Sequence, residues 1–176
     1  MIISESTISG VFQIQATPFR DCRGAFQDFW EQDLFIQNEI NFKPNSSHFS
    51  YNQRQNTVRA FHYQVTPYEQ TKLITCVSGR IWDVVVDIRQ FSPTFSKWTA
   101  LELSAVSGRS HLVPAGCAHG FLTLEDNSIV AYLIEGEYKP ESARVIRWND
   151  PNIAVSWPTK DPILSTKDAF APFLYQ

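Results

Sequence analysis

Short runs of apolar and β-branched residues recur along almost the whole chain, with turn-forming residues between them. The runs span Gly10 to Thr17, Ala25 to Trp30, Thr57 to Gln64, Leu73 to Val77, Ile81 to Ile88, Trp98 to Leu103, Ser110 to Val113 and Ile129 to Ile134. Each is too short for a core helix, and the spacing predicts an all-β sandwich or barrel. Ser78-Gly79, Ser92-Pro93, Ser107-Gly108 and Asp126-Asn127 fall between runs, where antiparallel connections need turns. Two segments suggest short helices: Glu31 to Gln37, and a piece opening at Ser165-Thr166-Lys167-Asp168, where serine is followed three residues on by an acid, as in a capping box. The proline-rich stretch from Pro151 to Gln176 is expected to wrap over the sheets as a tail of a single domain spanning residues 1–176.

Charge excludes several functions. The net charge of −3 and the scattered lysines and arginines give no basic field for nucleic acid. No run is long and apolar enough for a membrane span, and Met1-Ile2-Ile3-Ser4-Glu5 lacks the basic and apolar regions of a secretion signal, so the chain reads as cytoplasmic, without membrane partners. Cys22, Cys76 and Cys117 are odd in number and widely spaced, which predicts reduced, mostly buried thiols.

The residues able to carry chemistry sit on the predicted strands. Histidine can act as a base near neutral pH, and His62 shares a run with Arg59, followed by Lys72 at the head of the next. Two cations nearby would stabilise an anionic substrate and the negative charge that proton removal creates. Strict alternation puts Val58, Ala60, His62 and Gln64 on one face and Arg59, Phe61 and Tyr63 on the other, so a site shared by Arg59 and His62 requires a bulge or a strand end between them. Lys72 shares a face with Ile74 and Cys76; it either meets an anion there or snorkels to water from the strand's start. Tyr132, between Val130 and Ile134, reads alone as a core tyrosine, and Asp168 as a capping acid.

The segment Pro114-Ala115-Gly116-Cys117-Ala118-His119-Gly120-Phe121 is similar to the Pro-x-Gly-x-x-His motif of cupins. His62-Tyr63-Gln64 lacks the second histidine of a metal-binding cupin's first motif, so no catalytic metal is expected. Together with Asp21-Cys22-Arg23-Gly24-Ala25-Phe26, Thr57 to Gln64, Lys72-Leu73, Asp83 to Arg89, Ser92-Pro93-Thr94, Trp148-Asn149-Asp150-Pro151 and Leu164 to Asp168, these motifs resemble the dTDP-4-dehydrorhamnose 3,5-epimerase family over nearly the whole chain. The resemblance implies a cupin-like jelly-roll sandwich with short peripheral helices that works without a cofactor on a nucleotide-diphosphate sugar. It also implies a homodimer in which an N-terminal segment completes the neighbour's pocket. By match to the family's motifs, His62 is the base, Asp168 its orienting acid, Tyr132 the acid on the other face of the sugar and Lys72 the cation near the C4 carbonyl oxygen. Arg23, Arg59, His119, Tyr138 and Lys167 match substrate contacts, Tyr138 as the ring that stacks on thymine.

The chain also departs from the family pattern. The usual Arg-Gly-Leu-His is Arg59-Ala60-Phe61-His62, which is expected to add bulk beside the base and alter substrate choice. Ser46 and His48 stand where Gln-x-Asn is common, with Ser50 matching a following serine; Asp28, two residues after Phe26, replaces a glutamate, and Ala143 takes the place of another. Three other readings therefore stay open: a single-centre 3- or 5-epimerase on another nucleotide sugar, a sugar 3,4-ketoisomerase, and a non-catalytic sugar-nucleotide-binding cupin.

Overall fold

The structure, a computed structural model, describes residues 1–175. Its elements run β1 (Ile2–Glu5), β2 (Phe12–Gln15), β3 (Phe19–Asp21), β4 (Gly24–Phe26), α1 (Gln32–Gln37), β5 (Ser46–Asn52), β6 (Val58–Gln64), β7 (Thr71–Ser78), β8 (Arg80–Asp87), β9 (Trp98–Ser104), β10 (Arg109–Val113), β11 (Cys117–Thr123), β12 (Ser128–Glu135), β13 (Ala143–Val145) and α2 (Thr166–Ala169). Six strands in the order β1-β2-β10-β7-β12-β5 face five in the order β13-β6-β11-β8-β9, with β3 and β4 forming a separate hairpin. All strand pairs are antiparallel. This is an all-β sandwich, as the spacing of the runs predicts, and specifically the cupin-like jelly roll that the resemblance implies.

Every run named above contributes a strand, although Ala25 to Trp30 is strand only as far as Phe26. Five strands carry no matching run: β3 and β13 are only three residues long, β11 begins within the Pro114 to Phe121 segment, and β1 and β5 are the others. β1 is short and mostly exposed, and β5 (Ser-Ser-His-Phe-Ser-Tyr-Asn) is polar and exposed because it forms an edge of the larger sheet. An edge strand with no face against the core needs no apolar alternation.

Three apolar layers result from strand alternation. Ile74, Cys76, Val85, Phe121 and Val130 fill the space between the sheets. Phe35 of α1 and Phe42 cover Leu73 and Leu112 on the outside of the six-stranded sheet. Ile153, Trp157, Leu164 and Leu174 of the tail cover Val84, Val86, Phe61 and Leu122 on the outside of the other, where Trp157 Nε1 donates to Trp148 O at 2.8 Å. Cys76 and Cys117 are buried free thiols, pushed by burial up to about 11 and about 12, far from thiolate reactivity; Cys22 is free and exposed. Among the described residues, no helix is long and apolar enough to cross a membrane.

Candidate active site

The bulge anticipated between Arg59 and His62 exists, and it sets the geometry of the site. His62 pairs with His119 and Arg59 with Phe121, so Ala60 and Phe61 together oppose the single residue Gly120. That extra residue reverses the phase of alternation within β6. Val58, Ala60, Phe61 and Tyr63 turn outward to the tail, while Arg59 and His62 both face the cavity between the sheets. Gly120 makes the crowded strand possible: a Cβ there would stand 2.5 Å from the Ala60 Cβ and 2.9 Å from the Arg59 carbonyl oxygen. Phe61 is fully buried, with its ring 5.5 Å from that of Trp157. The bulk expected beside the base lies on the far side of the strand and does not reach the cavity.

The cavity encloses about 410 Å³ and is lined by His48, Arg59, His62, Gln70, Lys72, His119, Phe121, Tyr132, Ile134 and Tyr138. It continues into a second space of about 340 Å³, bounded by Gln64, Ala143, Arg144, Lys167 and Asp168 as well as by shared residues. His62 and His119 are direct partners on the inner face of the five-stranded sheet. Lys72 and Tyr132 belong to the opposing sheet, where Tyr132 pairs with Ile74, two residues from Lys72 on the same face. The walls meet at the floor, where the His119 and Tyr132 rings stand edge to face at 6.2 Å.

Each chemical group has a local reason for its state. His62 Nε2 lies 2.9 Å from Asp168 Oδ1, with the histidine side chain 40% exposed and the aspartate 5%. A carboxylate accepts only, so Nε2–H donates to it, leaving Nδ1 as the basic nitrogen. The capping reading of this turn is half met: Ser165 Oγ accepts from the Asp168 N–H at 3.1 Å, but the Asp168 carboxylate goes to His62 rather than back to the turn. Lys72 is half-buried without an ion-pair partner among the described residues, and burial lowers its pKa to about 8, so it is a cation at neutral pH that lacks a counter-ion. Burial, helped by the charge of Asp83, raises Tyr132 far above the ordinary phenol range, so it holds its proton.

The sequence reading gave Asp83 no role, yet it lies beneath the floor. It is fully buried and accepts from His119 Nε2 at 2.6 Å and from His111 Nδ1 at 2.8 Å; burial raises its pKa, but charge interaction with His119 and the hydrogen bonds from both histidines outweigh that and hold it at about 2. A carboxylate followed by Val84-Val85-Val86 was the available signal, since an acid in a core strand needs partners. Asn52 was also missed: its Oδ1 accepts from Arg59 Nε at 2.8 Å and aims the guanidinium. No group of three or more His, Cys, Asp or Glu among the described residues is arranged to hold a metal ion.

The remaining predicted contacts divide by position. His48, Arg59, His119 and Tyr138 line the main cavity and Lys167 its extension, whereas Ser46, at the start of β5, is exposed and borders neither space. Arg23, Phe26 and Asp28 are exposed and lie away from this chain's cavity. Arg23 pairs with Asp21 at 2.5 Å in the β3–β4 hairpin, beside a separate depression that includes Phe19 and Phe26.

Comparison with known proteins agrees with this geometry. A dTDP-4-dehydrorhamnose 3,5-epimerase of Sinorhizobium fredii is 37% identical over 175 residues, covering 99% of this chain and 90% of the relative. A dTDP-4-dehydrorhamnose 3-epimerase of Streptomyces niveus is 36% identical, covering 95% and 81%. The crystal structure of a dTDP-6-deoxy-D-glucose-3,5-epimerase from Legionella pneumophila, in complex with dTDP-4-keto-L-rhamnose, superposes with a TM-score of 0.93 at 34% identity, covering 99% of this chain and 93% of that one. The profile of the dTDP-4-dehydrorhamnose 3,5-epimerase family matches residues 5–176, and the chain belongs to that family of isomerases.

Proposed function

We propose that the cavity inverts the carbons beside the ketone of a dTDP-linked 4-keto-6-deoxy sugar, at C3 and C5. The observation that carries this reading is the placement of a base and an acid on opposing sheets: His62 on one wall, Tyr132 on the other. A sugar ring held between them presents one face to each. His62 Nδ1 takes the proton from the carbon next to the ketone, the C–H electron pair moves into the ring and the carbonyl π electrons go to the C4 oxygen. The Lys72 ammonium stabilises the resulting enolate. Tyr132 O–H then protonates the carbon from the opposite face, which inverts it. Asp168 keeps His62 in the required tautomer and stabilises its protonated form.

Recognition is assigned mainly to the outer rim, with His119 contributing from the floor. Arg59 and Lys167 suit the diphosphate, Tyr138 offers a largely exposed ring for stacking on the base, and His48 and His119 border the sugar. The proposal includes a homodimer in which the N-terminal segment, with Arg23, Phe26 and Asp28, crosses to the partner's cavity. Exposure of Phe19 (67%) and Phe26 (71%) on the hairpin supports it, as does exposure of Phe49 and Tyr51 on the edge strand β5. A nucleotide diphosphate does not cross a bilayer unaided, so the proposal puts the enzyme in the cytoplasm, where nucleotides are made.

The test is NMR of a dTDP-4-keto-6-deoxy sugar incubated with the protein in deuterated water. Deuterium at both C3 and C5 with the ketone retained at C4 is expected. Exchange at one carbon would make it a single-centre enzyme, as the name of the Streptomyces niveus relative describes that protein. Movement of the ketone to C3 would make it a ketoisomerase, and binding without exchange a binding protein.

A further inference from the structure

The proton transfers above make no use of His111, although it is buried and polar. It lies on β10 of the six-stranded sheet, in the row that continues through Ile74 to Tyr132, and is 0% exposed. Its Nδ1 reaches across the sandwich to Asp83 on β8, so the chain His111, Asp83, His119 ties one sheet to the other and ends at the cavity floor. Its Nε2 is buried with no hydrogen-bond partner among the described residues. Packing alone does not call for such a side chain, because an apolar residue would fill the place without leaving a nitrogen unsatisfied.

We propose that His111 is a positioning residue: by binding Asp83 Oδ1 it fixes Asp83 Oδ2 as the acceptor for His119 Nε2–H, so that His119 offers Nδ1 to the bound sugar as a hydrogen-bond acceptor. The inference rests on the reading of His119 as a substrate contact. No hydrogen bond from the described residues reaches His119 Nδ1, and the ring borders the cavity. The groups that bear on this imidazole are Asp83 on β8, His111 on β10, Lys72 on β7, Tyr132 on β12, and His62 and Arg59 on β6. Burial holds His119 below its ordinary pKa, with Asp83 opposing and Lys72 and His111 assisting. With His111 removed, the whole charge of Asp83 bears on His119, which becomes easier to protonate. A protonated His119 has no lone pair to offer and sets a second cation beside Lys72.

Long-range nitrogen–proton NMR of protein labelled with ¹⁵N-histidine reads both tautomers directly. In the unmodified enzyme at neutral pH, His119 is expected to carry its proton on Nε2 alone and His111 on Nδ1. In His111→Leu, His119 should titrate at higher pH and kcat/KM should fall by about tenfold, the scale on which partners of directly acting groups matter. His111→Asn, whose amide can still donate to Asp83, should restore both. A proton on His119 Nδ1 in the unmodified enzyme would overturn the proposal, and that result requires no variant to fold. A folded His111→Leu protein with unchanged His119 titration, or a failure of His111→Asn to restore it, would also overturn it. These spectra need no turnover, so their outcome is separate from that of the deuterium experiment.

Discussion

The inner and outer ends of the cavity are built differently. At the inner end, His62, Lys72, Tyr132 and His119 stand on paired strands of the sandwich, and Asp168 and Asp83 hold the two histidines through hydrogen bonds of 2.9 Å and 2.6 Å. At the outer end, Tyr138, Lys167 and His48 lie on a loop, the tail and an edge strand, while Arg23 and Phe26 project from an exposed hairpin away from this chain's cavity. Groups that move protons must hold their geometry closely, which paired strands provide; groups that choose a nucleotide can sit on segments that pack less. On the proposed reading, a single chain carries the chemistry, while recognition is completed by the partner's hairpin.

Substitutions at the two ends should separate these roles. The largest effect is expected for Lys72→Met, which should lower kcat by about a thousandfold, as for loss of a group that stabilises an oxyanion. The same change should stabilise the unliganded protein at pH 7 by up to about 3 kcal/mol. The sign follows from the lowered pKa. A half-buried lysine that binds its proton less well when folded destabilises the fold fully below about pH 8, and that cost disappears as pH rises toward 10.5. The unmodified enzyme should thus gain stability through that window while losing activity above about pH 8, in paired melting and rate measurements.

Next in size, Asp168→Asn should lower kcat by about a hundredfold with little change in melting temperature, because the amide holds the imidazole in a poorer tautomer. Arg23→Ala is expected to raise KM by about tenfold and leave kcat near normal. Mixing Arg23→Ala with His62→Ala subunits tests segment exchange. A dimer with crossed hairpins regains one intact cavity and its low KM; a dimer without exchange shows only the Arg23→Ala kinetics. The smallest effect belongs to Phe61→Leu, which should cost about 1 kcal/mol of stability and leave substrate preference unchanged, since the ring faces Trp157 and not the cavity.

Legibility in the sequence followed the same division. Apolar runs announced the central strands other than β11, because burial on one face alternates and burial on both faces gives a continuous run. β5 escaped notice since an exposed edge leaves no such mark, yet it carries His48 on the cavity wall. Alternation placed Arg59 and His62 on opposite faces and named the bulge as the condition for a shared site. It could not foresee that Phe61 would turn outward, because the extra residue is visible only in the pairing with Gly120. Asp83 was visible as an acid in an apolar strand, but its partners lie 28 and 36 residues away, beyond any local pattern.

The central claim is that base and acid act from opposite sheets on opposite faces of the sugar, and Tyr132→Phe in deuterated water tests it most directly. His62 is 40% exposed, so a proton it abstracts can exchange with solvent before it returns. The account predicts deuterium incorporation at the carbon with its configuration retained, exchange without inversion. Inversion at the unmodified rate, or loss of exchange in a folded protein that still binds substrate, would contradict it.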